Sequence, residues 1–263
     1  MARLLVQHIS AELTRLPAAF EGTTIAVVAD LHARIGGAAS VAQLVEQIND
    51  LDADLVVLLG DMVHSPRRGR ELLVSLSGLR ARHGVWACLG NHEHGFVWSS
   101  RYLGACRHPS VEEWRGMYAE SGIGLLANES IVLSNTGERL WLAGIDDAYS
   151  GRADLGAALD GVNRDECVVA ITHSPDAMDI DGMAAVDMVI AGHTHGGQIC
   201  LPGVGAIWAP CRRPRKRACG LVEGERTRLF VTRGVGEGLP VRIGCPREIG
   251  LVTLVRPGSE ASG

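Results

Sequence analysis

Three apolar runs in the first third of the chain end alike. "TTIAVVAD" (23–30), "DLVVLLGD" (54–61) and "GVWACLGN" (84–91) each close on a residue with a side-chain oxygen able to bind a metal. Runs of β-branched and aliphatic residues this short, without a polar face, read as buried strands. Between them, "SVAQLVEQINDL" (40–51) has the 3.6-residue apolar spacing of a helix, with Ser40 as its expected N-cap. "SPRRGRELLVSLSGL" (65–79) reads as a second helix with Pro66 near its first position, and "SVEEWRGMYAESG" (110–122) as a third that stops at Gly122. Beyond Ala127 the rhythm changes to short runs with few helices between them: "SIVLSN", "RLWLAGI", "CVVAITH", "DMVIAGH", "RLFVTRG" and "IGLVTLV". Strand–helix units followed mostly by strands predict an α/β fold of two packed mixed β-sheets flanked by helices, in a single domain. The expected boundaries are a lead-in over residues 1–22, the domain over 23–256 and a flexible tail over 257–263.

Composition narrows the function classes. At 263 residues, 46% apolar and 21% charged, the chain reads as an ordinary globular protein able to bury a sizeable core. Its net charge of −5 gives no general reason to expect nucleic acid. The charge is uneven, because "RRPRKR" places five cations at Arg212, Arg213, Arg215, Lys216 and Arg217. That run suits a solvated loop, a substrate phosphate or peripheral contact with an anionic membrane. It lacks interleaved aromatics, and the whole chain has three Phe and three Tyr, so base stacking is not expected. The seven cysteines (Cys88, Cys106, Cys167, Cys200, Cys211, Cys219 and Cys245) show neither C-x-x-C pairing nor zinc-finger spacing, and read as buried thiols of a reducing compartment. No run reaches the roughly 18 apolar residues of a membrane span, and the start lacks the apolar core of a signal peptide. The expected location is cytoplasmic.

Polar residues gather at the strand ends. "ADLH" offers Asp30 and His32, "LGDMVH" offers Asp61, and "LGNHEH" offers Asn91, His92 and Glu93. Two later strands end in His173 ("ITHSP") and in His193 with His195 ("AGHTHGGQI"). In α/β sheets, ligands bind in the crevice at the C-terminal strand ends, so five such ends point at one pocket. Residues i and i+2 of an extended segment face the same side, which would let Asp30 and His32, and likewise His193 and His195, act in pairs.

The order D-x-H, G-D, G-N-H-[DE], a single H and G-H-x-H resembles the calcineurin-like metallophosphoesterases, with all five blocks intact. The C-terminal half, including "VTRGVGEGLPVRIGCPREIGLVTL", is similar to a small bacterial phosphodiesterase branch, which in turn resembles enzymes acting on phospholipid or UDP-diacylglucosamine-type substrates. The resemblance implies a four-layer α/β/β/α sandwich around two divalent transition-metal ions, drawn from Mn, Fe, Zn or Co. Asp30, His32 and His195 would hold one ion, Asn91, His173 and His193 the other, and Asp61 would bridge them. His92 would be the catalytic histidine that binds no metal, with Glu93 orienting it.

These residue types suit the chemistry. Mixed carboxylate, amide and imidazole donors favour borderline divalent ions over Ca. Two such ions about 3.5–4 Å apart can clamp the attacking and leaving oxygens of a phosphoryl displacement, and a metal lowers the pKa of bound water toward about 7. The implied activity is hydrolysis of a phosphodiester by metal-bound hydroxide on a phosphorylated small molecule or lipid. Monoesters or pyrophosphates are the alternative substrates, and a non-catalytic scaffold or a nuclease are the competing classes. His64 stands where an iron-binding tyrosine is found in related purple acid phosphatases, so no tyrosinate centre is expected. His64 and His94 read as surface or pocket-rim residues, and His8, His83 and His108 stay unassigned.

Overall fold

The computed structural model describes residues 4–32, 38–63, 69–95, 108–224, 226–236 and 241–258. Two six-stranded mixed sheets form its centre. One runs in the order β1 (Leu5–Glu12), β14 (Glu248–Val255), β2 (Thr24–Val28), β3 (Leu55–Leu59), β4 (Val85–Cys88), β5 (Gly124–Leu125). The other runs β12 (Gly220–Glu223), β13 (Arg228–Val231), β9 (Met188–Ala191), β8 (Val168–Ile171), β7 (Glu138–Gly144), β6 (Glu129–Asn135). Each apolar run read as a strand contributes to one of them.

The absence of a polar face in these runs follows from their burial on both sides. In β2 and β3, Ile25, Val27, Leu55, Val57 and Leu59 face the second sheet, whose Val169, Ile171, Met188, Ile190 and Phe230 pack against them. The alternate residues Ala26, Val28, Val56 and Leu58 face outward into a cluster with Val41, Leu44, Leu73, Trp114 and Tyr118 of the helices α1 (Ala38–Asn49), α2 (Gly69–Val74) and α3 (Val111–Ala119). On the far side, Val168, Ala170, Val189 and Ala191 pack under short helical turns that include Ala177 and Met183. This makes four layers, helices–sheet–sheet–helices.

The sequence signals at helix ends hold in one case and shift in another. Ser110 caps α3 in a full capping box, accepting from the Glu113 N–H while the Glu113 side chain accepts from the Ser110 N–H, and the chain turns away at Gly122 with φ +72°. Helix α1 begins at Ala38, so Ser40 lies inside it rather than capping it. Pro66 lies outside the described residues. Residues 5–12 form β1, which pairs in parallel with all of β14 and buries Ala11 in the inter-sheet core. Its alternation of polar and apolar residues on an edge strand hid it among the surface-like segments.

Register brings the functional ends together. Strands β2, β3 and β4 are parallel, with Val28 beside Leu58 and Leu59 beside Cys88, so their C-terminal loops leave at one edge. In the second sheet, β8, β9 and β13 are parallel, with Ile171 beside Ile190 and Ala191 beside Val231. Those ends face the first set across the sandwich.

Candidate metal centre

The loops after β2, β3, β4, β8 and β9 converge, and the backbone is bent to make them do so. Among the described residues nine non-glycines have positive φ, and Asp30 (57°), His32 (43°), Asp61 (50°), His193 (69°) and His195 (50°) are five of them. Left-handed backbone is costly for residues with a Cβ, and such strain persists only where the surroundings enforce it. The i, i+2 pairs are therefore presented by kinks rather than by extended strand. Two glycines make the approach possible: a Cβ on Gly90 would strike the Asp61 carboxylate, and one on Gly192 would lie 2.6 Å from the Ala29 Cβ and 2.9 Å from Asp30 Oδ2.

Three overlapping groups result, each with its ligand atoms within 4.8 Å of one another: Asp30, His32 and His195; His32, Asp61 and His92; and Asp61, His173 and His193. His193 and His195 fall into different groups, and Asp61 belongs to two. The Asp61 Oδ2 atom lies 3.4 Å from His173 Nε2, 3.7 Å from His92 Nε2 and 3.8 Å from His32 Nε2. Asn91 Oδ1 lies 3.1 Å from His173 Nε2, which brings the amide into the third group. His92 reaches the same space as the ligand candidates, so position alone does not separate it from them.

The surroundings aim these rings. His173 Nδ1–H donates to the Leu59 carbonyl at 2.7 Å, leaving Nε2 to face Asp61. Arg242 donates to the His195 carbonyl and lies 3.5 Å from His195 Nδ1, which turns Nε2 of that ring toward Asp30 at 3.6 Å. Asp30 Oδ2 accepts the His193 N–H and Asp61 Oδ1 the His92 N–H, so both carboxylates also tie loops together.

The donor set fits a cation. His32 Nε2 faces His195 Nε2 at 3.1 Å, and His173 Nε2 faces His193 Nδ1 at 2.9 Å. Two neutral imidazoles sharing such a contact have one proton for two lone pairs. Asp30 Oδ1 is buried with no hydrogen-bond partner. Protons partly take a cation's place. Burial, then the Asp61 charge, pushes the Asp30 carboxyl up to about 7. Burial would also raise Asp61, but the His173, His92 and His32 charges outweigh it and hold that carboxyl well below its ordinary range. His173 is raised well above the usual imidazole value because Asp61 overcomes its burial. Burial and the neighbouring His173 push His193 down to about 3, and burial with His32 lowers His195, so both keep the neutral lone pairs that ligation requires.

Two positions differ from the sequence reading. Glu93 is fully buried, and its carboxylate accepts the backbone N–H groups of Asp61, Gly90 and Val63 rather than bonding the His92 ring. A buried carboxylate needs donors, and these three amides supply them, so Glu93 locks the two loops in place. His94 is half-buried and pairs with Asp146 at 2.6 Å rather than standing free on the surface. His64 lies outside the described residues. Residues the sequence reading passed over also line the centre. The Tyr149 ring lies tilted against the His193 ring, centroids 4.5 Å apart, and Asp146 and Asp147 follow β7 in "GIDDAYS", another apolar run with a polar end. Arg242 gave no sequence signal, because it reaches His195 from 47 residues away.

The match to the calcineurin-like phosphoesterase family covers residues 23–197, and the chain belongs to that family. It is 29% identical to "Phosphodiesterase YaeI" of Escherichia coli over 88% of this chain and 82% of that protein. It is 27% identical to the metallophosphoesterase YkuE of Bacillus subtilis over 91% of this chain and 81% of that one. A "Transmembrane protein with metallophosphoesterase domain" of Danio rerio is 28% identical over 95% of this chain, which spans 57% of that longer protein. No helix among the described residues is long and apolar enough to cross a membrane. Among solved structures, a dimetal phosphatase from Danio rerio is similar over 89% of this chain and 93% of its own, at 14% identity and a TM-score of 0.49.

Proposed function

We propose that the chain is a dinuclear metal-dependent phosphodiesterase acting on a phosphorylated small molecule or lipid. The observation that carries this reading is the sharing of Asp61 between overlapping ligand groups, one with His32 and His92 and the other with His173 and His193. A carboxylate shared in this way, at the end of a fully buried strand, suits a bridge between two cations. Asp30, His32 and His195 would hold one ion, and Asn91, His173 and His193 the other, the mixed nitrogen and oxygen donors favouring Mn, Fe, Zn or Co. Bound dications supply Lewis-acid charge to phosphoryl oxygens and lower the pKa of a water molecule. His92, the most exposed ring of the cluster, is the residue suited to touch substrate and give a proton to the leaving oxygen. Glu93 positions the Asp61 and Asn91 loops. The exposed Arg212, Arg213 and Lys216 extend a positive surface toward the substrate's anionic surroundings.

The test is a hydrolysis panel of bis(p-nitrophenyl) phosphate, p-nitrophenyl phosphate, pyrophosphate and a UDP-lipid with Mn, before and after chelation. The expected result is hydrolysis of the diesters, lost on chelation and restored by Mn. Full activity in protein shown to be metal-free, or turnover of the monoester or pyrophosphate alone, would overturn the reading.

A further inference from the structure

Leu5 and Val74 apart, every large apolar side chain that stands exposed among the described residues lies in 199–208 or 241–243. Val204, Ile207, Trp208 and Ile243 are more than half exposed, and Ile199, Leu201 and Val241 are also open to solvent. The two segments form one surface. The strands β10 (Cys200–Leu201) and β11 (Gly205–Ala206) make a hairpin, Ile199 bridges Ile243, and the Gln198 amide donates to the Val241 carbonyl. Monomeric proteins rarely leave such a contiguous apolar patch open without a partner for it.

This surface is joined to the metal centre. The hairpin leaves directly after His195, and a Cβ on Gly197 would strike the Trp208 carbonyl. Arg242, between exposed Val241 and Ile243, donates to the His195 carbonyl. On the other flank the chain enters the basic run. Arg213 and Arg217 turn to Asp179, whereas Arg212 and Lys216 are exposed with no acidic partner among the described residues. An apolar hairpin with an exposed tryptophan beside unpaired cations, in a chain of net charge −5, complements an anionic bilayer.

We infer that residues 199–208 and 241–243 dock on an anionic lipid bilayer, with Val204, Ile207 and Trp208 entering the interface and Arg212 and Lys216 meeting lipid headgroups. The surface then holds the His193 and His195 side of the centre against the membrane, so the substrates favoured are phosphodiesters carried by bilayer lipids. This substrate statement rests on the phosphodiesterase reading; the docking statement does not.

The experiment is sedimentation of the full chain with vesicles of phosphatidylcholine alone or with 30% phosphatidylglycerol, comparing wild type, Val204→Ser/Ile207→Ser and Arg212→Glu/Lys216→Glu. Wild type should bind the anionic vesicles, each double variant should bind at least tenfold more weakly, and neutral vesicles should bind little of either. The Val204→Ser/Ile207→Ser variant alters only exposed apolar side chains, so its metal content and rate on bis(p-nitrophenyl) phosphate should match wild type, while its rate on a vesicle-borne diester should fall with binding. Absence of wild-type binding, or equal binding by the variants, would overturn the docking surface. So would a concentration-dependent dimer, seen by sedimentation velocity and abolished by Val204→Ser/Ile207→Ser, since a second copy would then cover the patch. Vesicle binding without hydrolysis of any diester would instead count against the phosphodiesterase reading and leave the docking intact.

Discussion

The two ends of the sandwich bury polar groups in opposite ways. At the N-terminal ends of β8, β9 and β13, Arg15 forms a two-pronged pair with Asp187, both contacts at 2.8 Å, and donates to the carbonyls of Arg164 and Ala185. Asp187 also accepts the Val168 N–H at 2.8 Å, and Arg228 is taken up by Glu223 and the Glu12 carbonyl. At the C-terminal ends, carboxylates and imidazoles crowd together, the backbone takes left-handed turns, and a buried Asp30 oxygen has no hydrogen-bond partner. One end spends its polar groups on each other; the other keeps lone pairs aimed at a common point. A cavity of about 650 Å³ lies at the satisfied end, lined by Arg15 and Arg228. The unmet coordination marks the functional end.

The strongest way to break this contrast is at the bridge. Asp61→Ala should empty the metal sites and abolish hydrolysis together, read by elemental analysis and steady-state kinetics. His92→Ala should keep the metals while kcat falls by roughly 10²–10⁴-fold. The loss should shrink for p-nitrophenolate leaving groups, which need little protonation. Loss of metal in His92→Ala would make that residue a ligand, as its closeness to Asp61 permits.

The opposite end should respond in stability alone. Asp187→Ala leaves a partly buried guanidinium and the Val168 N–H without their acceptor, and should cost about 1–3 kcal/mol. Urea denaturation reads the cost; metal stoichiometry and kcat should not move. A fall in metal content would show that the two ends are coupled.

The smallest effect is a proton count. With Asp30 raised to about 7 and His173 raised above the ordinary imidazole range, both hold protons at pH 6 that ligation must expel. Mn binding should therefore tighten as pH rises and release more protons at pH 6 than at pH 8. Calorimetry in two buffers of different ionisation enthalpy measures this, and binding at pH 6 with no proton release would contradict it.

The sequence by itself determined the layers and most of the cluster. Strands covered on both faces cannot carry polar residues within their length, so Asp30, Asp61 and Asn91 stood out at the ends of β2, β3 and β4, and His173 and His193 after β8 and β9. Spacing also carried the glycines that let these loops touch. The tertiary structure decided what depends on distant partners. Whether Glu93 bonds a ring or three amides depends on loops brought together from residues 61–63 and 90. Arg242 reaches His195, and His94 meets Asp146, only because separate strands end side by side. The edge strand β1 was missed because one-sided pairing leaves a polar alternation that short-range pattern cannot distinguish from surface. Local sequence fixes which groups a strand end offers, but the direction in which each group faces is set by neighbours that the chain supplies from elsewhere.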